Sequence, residues 1–206
     1  MTDPAKELWD ATYKKRKMVS PLDFTIKAYD YLKDHPQSSL LDVGCGDGRD
    51  ALFFTEKNMH VTAIDFSQEA ICKLMTKNPS IDARVMNMEN MDFPDESFDA
   101  IYAHLSLHYF DDRTTDRIFL NIHRMLKPEG YFFVKCKSVH DPLFGKGEKI
   151  EEDMYLYEHQ RHFFSREYLA RKLRDFIVLE IAETAASYDG KESAFVEAMA
   201  RKGQAE

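Results

Sequence analysis

The sequence predicts an α/β fold: a seven-stranded, mostly parallel sheet flanked by helices, with its last strand antiparallel. Three observations lead there. From Ser39 onward, short β-rich runs alternate with helical-looking segments, the rhythm of parallel strands joined by crossover helices. Directly after the first run comes "LDVGCGDGR" at Leu41 to Arg49, which places three of the chain's eight glycines within five positions. Near the end, Asp189-Gly190 separates two β-compatible runs, a strong hairpin signal.

The elements follow in order. "SLLDV" (39–43) reads as the first strand and Arg49 to Lys57 as the next helix, with Ala51, Leu52, Phe53 and Phe54 giving it an apolar face. "HVTAID" (60–65) reads as the second strand. Ser67 is a good N-cap and Glu69 suits the positive end of a helix dipole, so a helix is expected to about Lys77, before Pro79. "DARVM" (82–86) and "FDAIYAHL" (98–105) read as the third and fourth strands. A helix over Thr114 to Leu126 is expected to stop before Pro128, with Gly130 turning the chain into a fifth strand. The hairpin is expected around 176–185 and 193–201. Two segments stand outside this core: residues 1–35, with helical spacing over Leu22 to Leu32, and residues 138–164, too long for a structureless connection.

With 206 residues and 44% hydrophobic content, the length favours one domain. The first ten residues lack the apolar core of a signal peptide, and no run approaches the roughly 20 apolar residues of a membrane span. Cys45, Cys72 and Cys136 are odd in number and form no paired metal motif, which argues for reduced thiols and a cytoplasmic protein. A net charge of −8 disfavours attraction to nucleic acid, and the short basic run Tyr13 to Lys17 reads as a solvated segment.

A glycine turn after a first strand brings backbone and a helix N-terminus close to a ligand. The dinucleotide pattern G-x-G-x-x-G counted from Gly44 fails at Arg49, where close packing needs a tiny residue, and no Gly-Lys-Ser/Thr supports a phosphate loop. What remains is D-x-G-x-G-x-G (Asp42, Gly44, Gly46, Gly48) with Asp65 ending the second strand. With "VTAIDFS" (61–67), "NMENMDFPDESFD" (87–99), "AHLSLHYF" (103–110) and "LKPEG" (126–130) in order, the chain resembles the class I S-adenosylmethionine-dependent methyltransferases, a Rossmann-like family. That resemblance implies the strand order 3-2-1-4-5-7-6. It also implies S-adenosylmethionine as cofactor and S-adenosyl-L-homocysteine as product.

Carried over by position, the resemblance gives Gly44, Gly46 and Gly48 to the cofactor loop and Asp42 to its shaping near the ammonium group. Asp65 would accept from both ribose hydroxyls and Phe66 would flank the adenine. Asn87 stands where the family often has aspartate, its oxygen still an acceptor for the adenine amino group; Met88 would offer its backbone N–H. His104 and Leu105 would lie beneath the sulfonium.

Methyl transfer is an in-line displacement, so the protein mainly has to orient the acceptor and exclude water. If a base is needed, His104 and His108 are the candidates; His108 also reads as a packing residue. Trp9 and Tyr13, with Tyr155, Tyr157, His159 and His162 of the insert, are expected to cover the substrate pocket, the first 35 residues acting as a helical lid. His140, His159 and His162 lack a fixed spacing, so no metal site is expected.

The N-terminal "LWDATYKKR" and the small size resemble the tellurite-resistance and thiopurine-type branch, which implies a small-molecule acceptor through sulfur, selenium, tellurium, nitrogen or oxygen. An RNA or protein methyltransferase and a non-catalytic cofactor-binding regulator are the competing readings.

Overall fold

The computed structural model describes residues 4–15, 22–188 and 191–204. The elements of the main unit are β1 (Ser39–Val43), α3 (Arg49–Glu56), β2 (His60–Asp65), α4 (Gln68–Lys77), β3 (Asp82–Val85), β4 (Phe98–His104), α5 (Asp112–Met125), β5 (Leu126–Lys137), α6 (Arg166–Lys172), β9 (Ile177–Tyr188) and β10 (Lys191–Arg201). They are preceded by α1 (Pro4–Lys15) and α2 (Asp23–Leu32). Strands β6 (Glu148–Glu151), β7 (Met154–Tyr157) and β8 (His159–His162) interrupt them after β5. The main sheet has seven strands in the order β3-β2-β1-β4-β5-β10-β9, parallel from β3 to β5 and antiparallel at β10. This is the predicted topology.

Period-two alternation splits the core into two layers. Along β4 and β5, Ile101, Ala103, Phe132 and Val134 face the layer built by Ile118, Phe119 and Ile122 of α5 and Leu169 of α6. Ala100, Tyr102 and Phe133 face the other way, onto Phe24, Ala28 and Leu32 of α2, Phe54 of α3 and Leu74 of α4. Both sheet faces are covered, as parallel strands require.

Local signals set the helix starts. Ser67 Oγ accepts from Ala70 N–H at 3.1 Å and Asp111 Oδ1 from Thr114 N–H at 2.6 Å, caps worth about 1 kcal/mol each. Asp111 is why α5 starts two residues earlier than expected. Strand β5 also starts earlier, at Leu126, and Pro128 and Gly130 lie inside it. The β4–β5 register shifts there, from Phe98 opposite Leu126 to Ala100 opposite Tyr131. The extra residues pair with the chain end instead: Glu129 N–H donates to Lys202 O at 3.2 Å and Lys202 N–H to Gly130 O at 2.9 Å. A proline with no N–H to offer is tolerated at such a bulge. The Asp189-Gly190 turn, Arg16 and Lys17 lie outside the described residues.

The insert folds into a separate antiparallel sheet, β6-β7-β8. It is sewn to the end of β5 at its base: Phe164 N–H donates to Lys137 O at 2.8 Å and Val139 N–H to Phe164 O at 3.2 Å. Among the described residues no helix is long and apolar enough to cross a membrane.

Candidate active site

The glycine run forms the turn between β1 and α3 at the carboxyl edge of the parallel strands, where open α/β sheets take their ligands. Gly44 and Gly46 have φ of +75° and +56°. A Cβ on Gly44 would lie 2.4 Å from Ser106 Cβ, and one on Gly46 would lie 2.7 Å from Tyr13 Oη. Ser106 is itself held, its hydroxyl donating to Val43 O at 2.6 Å. At Gly44 and Gly46 the loop thus forms a cradle with no room for a side chain. Gly48 is the N-cap of α3 and faces Leu74, away from the cradle.

Two carboxylates lie under this loop. Asp65, 5% exposed, accepts from Gly46 N–H at 2.9 Å and Ser67 N–H at 2.8 Å. Burial outweighs these bonds and raises its pKa to about 6. Each of its oxygens keeps a lone pair for a hydroxyl donor. Asp42 is buried, and its Oδ2 has no hydrogen-bond partner. Burial, then the neighbouring Asp50 carboxylate, pushes its pKa well up. A turn with no room for a Cβ at Gly44 or Gly46, beside the Asp65 carboxylate and the orphaned Oδ2 of Asp42, fits a ligand carrying hydroxyl donors and a polar tail.

A cavity of about 260 Å³ opens beside the cradle. Gly44, Asp65, Phe66, Asn87, Met88 and Leu105 line one part of it, while Asp42, Gly46, Gly48 and His104 are not in its lining. Asn87 Oδ1 accepts from Glu89 N–H at 3.0 Å and starts a short 3₁₀ turn over Met88–Asn90. Leu105 is left-handed at φ +56°, a strain of order 1–3 kcal/mol that non-glycine residues sustain mainly at functional sites. Met86, Ser106, Tyr109, Phe110 and Gln160 also line the cavity. These were missed because turn and insert residues carry no periodic signal.

Trp9, Tyr13 and His159 line the rest of the cavity. Trp9 stacks on Tyr13 at 5.7 Å and on His159 at 4.9 Å, and meets Tyr109 edge-on at 5.3 Å. Helix α1 is latched onto α4: Asp10 Oδ1 accepts from Ser67 Oγ, and from Glu69 N–H at 3.3 Å, while Lys73 Nζ donates to Tyr13 O. Tyr155 and His162, expected in the pocket, lie outside its lining. Tyr155 packs at 5.3 Å from Phe144 and 6.2 Å from Phe163, the small core the insert needs to hold its own sheet. His162 is buried against Tyr168 and Phe164, where the chain rejoins the main core. Tyr157 is exposed.

The two candidate bases lie behind the cavity rather than in its lining. His108 is buried, and its Nδ1 has no hydrogen-bond partner. Burial, then the charges of Arg161 and Lys137, holds its pKa well below the usual histidine range, so the ring is neutral near pH 7. His104 is half-buried, its Nδ1 3.2 Å from Arg49 Nη2. Among the described residues no group of three or more His, Cys, Asp or Glu side chains could hold a metal ion.

A family model described as a methyltransferase domain matches residues 41–134. A phosphoethanolamine N-methyltransferase of Arabidopsis thaliana is 29% identical over 127 residues, 58% of this chain and 26% of that protein. The chain thus spans only about a quarter of that relative's length. A solved S-adenosylmethionine-dependent methyltransferase of Methanosarcina mazei superposes with TM-score 0.79 at 23% identity, covering 91% of this chain and 100% of that one. TehB of Haemophilus influenzae does so with TM-score 0.72 at 18% identity, covering 95% of this chain and 67% of that one. The 1,6-didemethyltoxoflavin-N1-methyltransferase of Burkholderia thailandensis, solved with 1,6-didemethyltoxoflavin and S-adenosylhomocysteine, gives TM-score 0.68 at 19% identity over 99% of this chain and 92% of that one. At these identities the structural likeness is one of fold. The family match, the strand order and the glycine turn agree: residues 41–134 match a methyltransferase domain, carried on a sheet that superposes on solved S-adenosylmethionine-dependent methyltransferases.

Proposed function

We propose that this chain is a methyltransferase that moves a methyl group from S-adenosylmethionine to a small-molecule acceptor. One observation carries the reading: the cradle of Gly44 and Gly46 opens onto a cavity of about 260 Å³, covered by Trp9, Tyr13 and His159. When bound, S-adenosylmethionine supplies the activated methyl group. Asp65 would accept from its ribose hydroxyls, Asn87 and the Met88 N–H would meet its base beside Phe66, Leu105 would lie beneath its sulfonium, and Asp42 and the glycines would hold its amino-acid end. Orientation and exclusion of water by α1 and β8 supply the rate enhancement.

The enclosed aromatic cover and the net charge of −8 favour a small acceptor over RNA or a protein chain. The three free cysteines suit a reducing compartment such as the cytoplasm. A screen with radiolabelled S-adenosylmethionine across thiols, amines, phenols, metalloid oxyanions and bulk tRNA is expected to label one class of small molecule. Label confined to tRNA, or cofactor binding with no transfer to any arm, would overturn this reading in favour of a macromolecular enzyme or a regulator.

The cover makes its own prediction. Trp9 is the chain's single tryptophan, so its fluorescence reports on the lid alone. Its emission is expected to change on addition of S-adenosylhomocysteine. Constant emission while calorimetry registers binding would remove Trp9 from the cover.

A further inference from the structure

His159 reaches the cavity by way of the insert. It opens β8 opposite Tyr157 of β7. Glu158, the single residue between those two strands, is left-handed at φ +58°, a conformation a non-glycine residue keeps only where its surroundings fix it. Strand β8 rests on the turn after β4, where Gln160 Nε2 donates to Tyr109 O at 3.5 Å. The imidazole stacks on Trp9 at 4.9 Å, with 27° between the planes, and meets Tyr109 edge-on at 6.2 Å. Packing alone orients it: among the described residues neither ring nitrogen makes a hydrogen bond, and neither is sealed away as Nδ1 of His108 is.

The neighbouring histidines are placed differently. His104 lies outside the lining, its Nδ1 against Arg49, a guanidinium that Asp50 grips through Nε at 3.0 Å and Nη2 at 2.7 Å. His108 and His162 are buried, and His162 Nδ1 lies 3.4 Å from Tyr168 Oη. Among the described residues His159 is the histidine that lines the cavity. The charged and titratable groups that bear on it are Glu158 and Arg161 of its own hairpin, Tyr157 opposite it in the β7–β8 ladder, and Tyr109 of the turn after β4; α1 meets it with the uncharged Trp9. Burial, then Arg161, holds its pKa below the usual histidine range. The ring is therefore neutral near pH 7, and one of its nitrogens carries an open lone pair.

We infer that His159 is the general base of the transfer, taking the proton of a methyl acceptor bound against Trp9 and Tyr109. This rests on the methyltransferase reading above and adds to the orientation assigned there. A base is of use when the attacking atom carries a proton, as in a phenol or a thiol. A lone pair of that atom forms the bond to the methyl carbon as the carbon–sulfur bond breaks, and the released pair stays on sulfur, which becomes a neutral thioether. The hydrogen passes as a proton to the bare nitrogen of His159, leaving its bonding pair on the acceptor, and the imidazolium returns the proton to water.

Two measurements on the full chain test this. The first needs no turnover. Diethyl pyrocarbonate, which acylates unprotonated imidazole nitrogens, is expected to modify His159 at pH 7 along with the exposed His35 and His60, and to spare the buried His108 and His162, as read by peptide mass spectrometry. A His159 as unreactive as His108 overturns the proposal. The second runs phenols, thiols, amines and metalloid oxyanions with radiolabelled S-adenosylmethionine on the wild type and on His159→Phe, which keeps a stacked ring and removes the nitrogens. Label is expected on a phenol or a thiol, with kcat lower in the variant by the factor of about 10²–10⁴ that a general base supplies. The wild-type rate is expected to fall as pH drops below the ordinary histidine value of 6.5, and that fall to vanish in the variant. Calorimetry is expected to find S-adenosylhomocysteine bound by both alike. Transfer by His159→Phe within about tenfold of the wild type, label confined to amines or oxyanions, or a matching loss of cofactor binding that makes the ring a packing residue overturns the proposal and leaves the methyltransferase reading standing. Cofactor binding with no transfer to any arm by the wild type sinks both.

Discussion

Replacing Asp65 by alanine is expected to weaken binding of S-adenosylmethionine and S-adenosylhomocysteine alike by roughly 30- to 1,000-fold, read by calorimetry. The estimate takes two hydroxyl-to-carboxylate hydrogen bonds at about 1.5–3 kcal/mol each, less what water recovers. Both ligands should lose equally, because Asp65 would meet the ribose and not the sulfur. The same group sets a pH dependence. Its pKa is raised to about 6 by burial, and only the ionised carboxylate offers all its lone pairs. Affinity in the wild type is therefore expected to level off above about pH 6 and to fall by up to tenfold per pH unit below it. The sign for stability is opposite. The folded chain holds this proton more tightly than the unfolded one, so Asp65 costs the free protein stability as pH rises from about 4 through 6. A flat binding curve from pH 5 to 8, or an alanine variant that binds normally, would take Asp65 out of the site.

Gly44→Ala is expected to lower stability by about 2–4 kcal/mol, a fall in Tm of roughly 5–15 °C for a chain of this size, and to abolish cofactor binding. The methyl group would lie 2.4 Å from Ser106 Cβ, and Ser106 cannot withdraw without breaking its bond to Val43 O. The left-handed backbone adds a further 1–2 kcal/mol for any residue with a Cβ. Gly46→Ala is the informative control. Its methyl would meet the hydroxyl end of Tyr13, which can move with α1, so the loss of stability should be smaller and the cost should appear in closure of the lid. Equal Tm losses in the two variants would show that the cradle is set by backbone strain alone.

Most of the fold was legible in the sequence because its signals are local. The period-two runs, the cap residue Ser67, and glycines at positions that demand positive φ act within a few residues. The early start of β5 was not legible, because Pro128 and Gly130 are read locally as breakers while their tolerance depends on Lys202 at the far end of the chain. Six residues the sequence singled out, Gly44, Asp65, Phe66, Asn87, Met88 and Leu105, lie at or near strand ends and are brought together in the cavity lining. The aromatic cover was read only in part. Tyr155 and His162 look like Trp9 and His159 in sequence, yet two of the four serve the packing of the insert and its junction.

Arg49 shows the boundary best. In sequence it entered only as the residue that breaks a dinucleotide pattern. Its partner His104 is 55 residues away, and Asp50, which aims it, is held by Thr25 from 25 residues upstream. The sequence by itself determined the succession of strands and helices and the place of the glycine turn, since these rest on propensity and spacing, and its motifs carried the resemblance to the methyltransferases. Only the tertiary structure decided which polar groups share the buried space behind the cradle. Hydrogen bonds there are set by distance and direction between elements, and neither quantity is written in any local stretch of chain.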